Sequence, residues 1–506
     1  MAPHAAEVTE STVKSADSLS SPVSNTASTY PAVSPITTTQ SNNEYRVYRR
    51  RFFGLFQLIL LNILVSWDWL AFAPVSNTAA EYFNTTEAVI NWFSTAFLFA
   101  FVVASPVTFW ALNKHGPKVS IIIASVLLLV GNWIKYGGTR ANSIGAAMTG
   151  QLLMGFAQPF VLSAPTSYSN MWFSSSGRTT ATAVASLANP FGGALGQLIT
   201  PFWVNSKPGN IPNSILYVSI ISSVACLPSF FIPHSPPTPP SAGAATSTHL
   251  ISAPTLAGTT VTLLTSPEFY LIFIPFSVFV GLFNAISSLL NQILQPYGFT
   301  EDNAGIAGAI LIVVGLISAA ISSPLVDKYH SYLWYMRGSI PVVAVCYLVF
   351  IWVPGTRSLA FAFVMCAILG ASSFGLMPVA LEFLVEIHYP LGPELSSSLC
   401  WCGGQLLGGI FIIVMTALRA DQHANPPKNM AHALWFQAVL AMVAMPLPIC
   451  LGLFGRKASV RTKRFEVDSV ANGQGVVEQI ATDDAVGQST EVRRQPTNDL
   501  ETGPTK

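Results

Sequence analysis

The feature that most constrains this chain is the recurrence of apolar runs. Twelve of them fall at about 52–76, 88–112, 119–136, 143–165, 178–204, 214–234, 269–297, 303–327, 334–354, 359–388, 393–418 and 431–455. Each is near the ~20 residues a helix needs to cross ~30 Å of hydrocarbon. Runs of this length are helical, because a spanning backbone must satisfy its own polar groups and a barrel would show short alternating strands. The composition agrees: 51% hydrophobic, 9% charged, mean hydropathy +0.50, where soluble domains carry about 25% charge. An all-α membrane protein follows, with the lipid bilayer as its surroundings. The net charge of +1 comes with no basic cluster away from the membrane flanks, so no nucleic-acid partner is expected.

An even number of crossings puts both ends of the chain on one side. Lys and Arg concentrate on cytosolic flanks. With the ends inside, the inner flanks hold 14 such residues and the outer flanks 6, Lys135 among the latter. Both termini are therefore expected in the cytosol. Residues 1–45 are rich in Ser, Thr and Pro, lack a signal-peptide core, and read as a disordered tail. Residues 235–268, opening SPPTPP, read as a cytosolic linker between bundles at 46–234 and 269–464. Residues 465–506 read as a second disordered tail.

The first run holds the least membrane-like residues. Leu61–Asn77 reads LNILVSWDWLAFAPVSN. An ionised side chain at this depth costs roughly 2.5–3.5 kcal/mol on insertion scales, so Asp68 needs protein or water beside it. This run is expected to be the first helix lining a polar cavity. At helical spacing Trp69 shares a stripe with Asn62, Ser66, Ala73 and Ser76, the small and polar face. Asp68 lies about 100° away, on a stripe with Leu61, Leu64, Phe72 and Val75. It could counter a cationic substrate, take up a proton, or pair with a neighbouring helix. Glu382 and Glu386 share a helix face four residues apart, near a cytosolic end, where gate contacts with bases such as Arg178 or Lys328 are favoured. Gln151, Gln197, Asn291 and Gln292 are amides within spans, and such amides commonly bond between helices; Asn291 and Gln292 adjoin Asn284 across two turns, so a substrate contact is expected there, at Asn291 first.

No nucleophile or metal set accompanies the paired carboxylates, so no enzyme activity and no cofactor are expected. The six cysteines all lie in apolar segments and read as small hydrophobes. No histidine sits mid-span. Asn84-Thr85-Thr86 is a glycosylation sequon in a short loop pressed near the membrane.

The two sets of six runs resemble each other. The second and eighth end in ALNKHGPK and LVDKYHS; the fourth and tenth read AQPFVLSAP and SSFGLMPVA; the fifth and eleventh carry Gly192, Gly193, Gly196 and Gly403, Gly404, Gly408, Gly409. Two six-helix halves joined by a long loop resemble the major facilitator superfamily, whose members hold substrate near mid-membrane between halves that rock. The resemblance covers about 46–464. It implies gating roles for Lys114, Gly116, Asp327 and Lys328, although Asn113 stands where the first copy of the superfamily's loop motif has an acid.

WLAFAPVSN, INWFS, AQPF, SSLLNQ and LEFLVEIHYP further resemble the feline leukaemia virus subgroup C receptor family, linked with choline, ethanolamine and haem transport. That resemblance implies substrate contacts at Trp69, Gln158 and Gln405. Asn284, seven residues before Asn291, stands where the choline transporters have a tyrosine. They carry a neutral glutamine at the position of Asp68, so resemblance implies no proton coupling. The expected function is alternating-access transport of a small organic solute, choline or a related amine first. A haem, porphyrin or vitamin-like cargo and a non-transporting receptor remain as alternatives. A monomer is expected, in the plasma membrane first and the vacuolar or lysosomal membrane second.

Overall fold

A computed structural model of the chain describes residues 46–238, 240, 263–329, 331–388 and 393–452. The two tails and most of the linker named above lie outside these residues.

The first crossing is two helices, α1 (Arg51–Trp69) and α2 (Ser76–Tyr82), with a 3-10 turn at Ala73–Val75 between them. The expected single helix over 52–76 is corrected here. Pro74 has no N–H to give the carbonyl of Leu70, and its ring collides with that carbonyl. The helix stops early, and Ala73 and Ser76 leave the stripe that Trp69 was expected to share with them.

Next comes α3 (Glu87–Arg140), two arms meeting at one non-helical residue, Gly116, with φ 75° and ψ 179°. The arms span Glu87–Leu112 and Lys114–Arg140. The expected loop thus shrinks to one residue. A positive φ suits glycine, and Pro117 disfavours a helical residue before it. The first half is completed by α4 (Ile144–Trp172), α5 (Ser175–Val204) and α6 (Ile211–Cys226).

The second half runs α7 (Pro267–Leu294), α8 (Glu301–Tyr329), α9 (Tyr332–Phe350), α10 (Leu359–Ile387), α11 (Pro393–Ala417) and α12 (Ala431–Ala444), with a short α13 (Pro446–Ile449) behind it. Counting α1–α2 as one crossing and α3 as two gives twelve crossings. Ten are both long and apolar enough to span a membrane. The other two, α4 and α5, have 29 and 30 residues but are diluted by Gly, Ser, Thr, Pro and amides.

Within the first half α1 packs on α4 and α5, and α3 on α4 and α6. Within the second, α7 packs on α11, and α8 and α9 on α10. Across the seam α5 meets α8, and α3 meets α11. Shifting by six crossings turns the fifth–eighth pair into the eleventh–second pair, so the two seams are equivalent by the internal repeat. Small residues let these backbones approach. A Cβ on Gly192 of α5 would strike the Ile63 carbonyl of α1, and one on Gly370 of α10 would strike the Leu311 carbonyl of α8.

Candidate functional site

Trp69 closes α1 and is 6% exposed, so its ring faces protein, not lipid; its indole Nε1 has no hydrogen-bond partner. Gln158, on α4, is also buried, with Oε1 unpartnered. In the second half Asn284 of α7 donates from Nδ2 to Gln405 Oε1 of α11 at 3.0 Å. Gly408 makes room for this pair: a Cβ there would lie 2.8 Å from Asn284 Nδ2. The structure therefore brings Asn284 and Gln405 together. It leaves Trp69 and Gln158 with buried polar atoms unsatisfied, which is costly where nothing is bound.

Asn291 goes elsewhere. Its Nδ2 donates to Ser76 Oγ of α2 at 3.2 Å, and it belongs to a polar seam between the halves. Asn91 and Gln292 exchange hydrogen bonds at 3.2 and 2.6 Å, and Asn91 also donates to Thr416 Oγ1 at 2.9 Å. Thr78 gives Glu301 its backbone N–H and its hydroxyl, at 3.2 and 2.8 Å. Gln197 donates to the Ser287 carbonyl at 2.6 Å. At the rim, Arg419 and Glu87 form an ion pair of 3.0 Å, reinforced by a second contact of 3.2 Å. With the Asn77 amide turned nitrogen-first to Glu87, it donates there at 2.7 Å and accepts from Gln295 at 3.1 Å. All but the deeper Gln197 contact cluster at the end of the bundle that carries the α2–α3 turn. Beyond them opens a vestibule of about 820 Å³, lined by Asn77, Glu87, Gln295, Arg419 and Lys428 among others.

Asp68 is fully buried inside the first half. Its Oδ2 accepts from Asn132 Nδ2 of α3 at 2.7 Å; its Oδ1 has no partner. Its main-chain oxygen, at the frayed end of α1, accepts from Gln151 Nε2 of α4 at 3.0 Å and from Lys135 Nζ of α3 at 3.4 Å. The same ammonium sits 5.0 Å from the Phe72 ring. Lys135 is itself completely buried. Its assignment to an outer flank is thus corrected: it lies one turn inside the helix end marked by Arg140. Asn132 also reaches Ser222 of α6 at 3.3 Å. Asp68 therefore belongs to a network among α1, α3, α4 and α6, while the pair made by Asn284 and Gln405 belongs to the other half.

The residues expected to gate lie at the opposite end. Lys114 and Lys328 are exposed, each against an aromatic of its own helix: Trp110 at 5.1 Å and Tyr329 at 5.6 Å. Gly116 is the hinge of α3 described above, and Arg178 is half-buried in the first turn of α5. On α10, Glu386 is buried and Glu382 exposed, and both are engaged. The side chains of Asn113 and Asp327 lie outside the described residues.

Glu87, Arg419, Glu301 and Asn91 were not singled out in the sequence. Each sits near a helix end, where a polar residue is ordinary, and only their pairing across hundreds of residues makes them notable. Lys135 did leave a signal, because a lysine five residues inside Arg140 is still within the helix. No group of three or more His, Cys, Asp or Glu side chains is gathered for a metal among the described residues.

Residues 58–393 match the family model described as Major Facilitator Superfamily. A zebrafish (Danio rerio) protein named solute carrier family 49 member A3 is 31% identical over 436 residues, covering 84% of this chain and 91% of its own. The mouse (Mus musculus) protein named choline/ethanolamine transporter FLVCR1 is 26% identical, covering 78% and 75%. Among solved structures, a bacterial homologue of the human lysosomal transporter Spinster superposes with TM-score 0.64 at 14% identity, over 82% of this chain and 99% of that one.

Proposed function

This chain belongs to the major facilitator superfamily, as an FLVCR-like relative of solute carrier family 49, and from that premise we propose that the small solute it transports is choline or a related amine. A membrane-embedded carrier of small molecules is the family's common ground. The narrower cargo rests on one observation: a buried tryptophan, Trp69, whose Nε1 lacks a partner, as does Oε1 of Gln158, the amide that the family pattern places in the same site. A ring face in a dry site attracts a quaternary ammonium by roughly 0.5–2 kcal/mol. The free Oε1 of Gln158 can accept from the hydroxyl or amine at the other end of such a molecule. Gln405 and Asn284 would complete the site from the second half.

The polar seam supports alternating access. It ties the halves together at the α2–α3 end, which the charge bias assigns to the outside, with both termini in the cytosol. Release of those contacts would open the vestibule to the site. The plasma membrane is the favoured location.

Uptake of radiolabelled choline by cells lacking their own choline carrier tests the reading. The wild type should raise uptake above background. Trp69→Ala should abolish the gain, and Trp69→Phe should retain a fraction of it, because the weaker ring keeps its face. Wild-type uptake unchanged by Trp69→Ala would refute the site; no uptake by well-expressed protein would refute the cargo.

A further inference from the structure

A helix that stops inside a membrane leaves its last carbonyls short of donors from their own chain. The Asp68 carbonyl, at the end of α1, is such a group: its chain offers it only the Ala71 N–H, at 3.4 Å. Two side chains supply the rest, Gln151 Nε2 of α4 at 3.0 Å and Lys135 Nζ of α3 at 3.4 Å. Both donors come from one closely packed platform. A Cβ on Gly150, the residue before Gln151, would lie 2.5 Å from the main-chain nitrogen of Lys135 and 2.5 Å from the Gly131 carbonyl. The absence of that Cβ lets α3 and α4 meet backbone to backbone where the two donors arise.

The carbonyl they hold belongs to the peptide unit that carries Trp69. The six atoms from the Asp68 Cα to the Trp69 Cα share one plane. Holding its oxygen from two other crossings therefore sets that plane, and with it the bond from which the indole departs. Past Trp69 the helix is over, with Leu70 at φ −97° and ψ 15°.

The charge of Lys135 has a use in this arrangement. An ammonium so completely buried carries a desolvation cost of several kcal/mol. The Asp68 carboxylate attracts it and the Phe72 ring lies 5.0 Å away, and both offset that cost. Yet the ammonium donates to the main chain, while the carboxylate takes Asn132 at Oδ2. For stability alone, apolar residues of the same size commonly serve as well as a buried charge pair.

We propose that Lys135 and Gln151 are positioning residues for the solute site. They act through the Asp68 carbonyl to set the pose of the Trp69 indole, and the Asp68 carboxylate serves them by keeping Lys135 charged. That the indole meets the solute rests on the reading above; that the clamp sets its pose rests on the contacts alone.

Fluorine NMR of the full chain in nanodiscs, labelled with fluorotryptophan, tests the clamp without any solute. The Trp69 signal is the one missing from Trp69→Phe. It should be single and narrow in the wild type. Lys135→Met and Gln151→Met should each split or broaden it, because an unheld plane samples more than one pose, and should leave the signal of Trp352 in the second half unchanged. A Trp69 signal that stays narrow in both variants overturns the proposal. Pairing Lys135→Met with Asp68→Asn separates positioning from charge compensation. The double variant should regain thermal stability over Lys135→Met, which leaves a lone buried carboxylate, while its Trp69 signal stays split or broad. A narrow signal regained along with stability overturns the proposal. Should Lys135→Met fail to fold, Gln151→Met, which removes no charge, and the double variant decide.

In choline uptake Gln151→Met should raise KM several-fold and leave the maximal rate near that of the wild type, the pattern of lost uniform binding. An unchanged KM beside a split signal overturns the positioning role. The fluorine signals use no choline, so failed uptake by the wild type bears on the cargo alone.

Discussion

At the scale of single residues, the first crossing shows how 100° of helix rotation separates two neighbours. Trp69 and Asp68 are adjacent, yet the indole ends with its Nε1 unpartnered while the carboxylate is drawn to Asn132 of α3. The amides divide in the same way: Asn284 finds Gln405 within its own half, and Asn291 finds Ser76 across the seam. This separates stability from binding at Asn284. Replacing it by leucine leaves Gln405 buried with its Oε1 unserved, at a cost of about 1–3 kcal/mol. A second change, Gln405→Met, should restore most of the thermal stability of Asn284→Leu, because neither polar group then remains. Choline uptake should stay lost in the double variant if the amides contact the solute. Recovery of transport along with stability would assign them a packing role only.

At the scale of elements, backbone approach decides which glycines matter. Gly192 faces the Ile63 carbonyl, whereas an added Cβ at Gly338 of α9 meets nothing within 4 Å. The same substitution should therefore have opposite signs. Gly192→Ala should lower the thermal midpoint of the detergent-purified protein, with about 1–3 kcal/mol lost to overpacking. Gly338→Ala should leave the midpoint unchanged or raise it, since alanine gains roughly 0.5–1 kcal/mol over glycine within a helix. Equal effects at both sites would mean that the α1–α5 contact is not the close one described.

At the scale of the whole carrier, the Glu87–Arg419 pair joins α3 of one half to α11 of the other, outside the Asn91, Gln292 and Thr416 contacts. Both partners keep only modest exposure, 11% and 13%. A single such pair is worth about 1 kcal/mol, and a 1.4 kcal/mol shift moves a two-state population 10-fold. Glu87→Gln should therefore raise maleimide labelling of a cysteine at Ser76 by up to roughly 5-fold, if the α2–α3 end opens during transport. Unchanged labelling would place the closing force in the buried amides instead.

The membrane class, the number of crossings and the two-half repeat were legible because each depends on local composition. Lipid demands long apolar helices wherever they lie in the chain, and repeats compare one stretch with another. The stop at Trp69 was written into Pro74, but a run read only for hydropathy passes over a proline. What no stretch of sequence contained was pairing. Lys135 counted as a flank charge until the fold enclosed it beside Asp68. Glu87 and Arg419 were two unremarkable helix-end residues until the halves met. Local chemistry determined that this chain enters a membrane as two bundles. Which polar groups find each other inside was decided only by tertiary packing, because a buried charge or amide is satisfied by whatever the opposing helix presents.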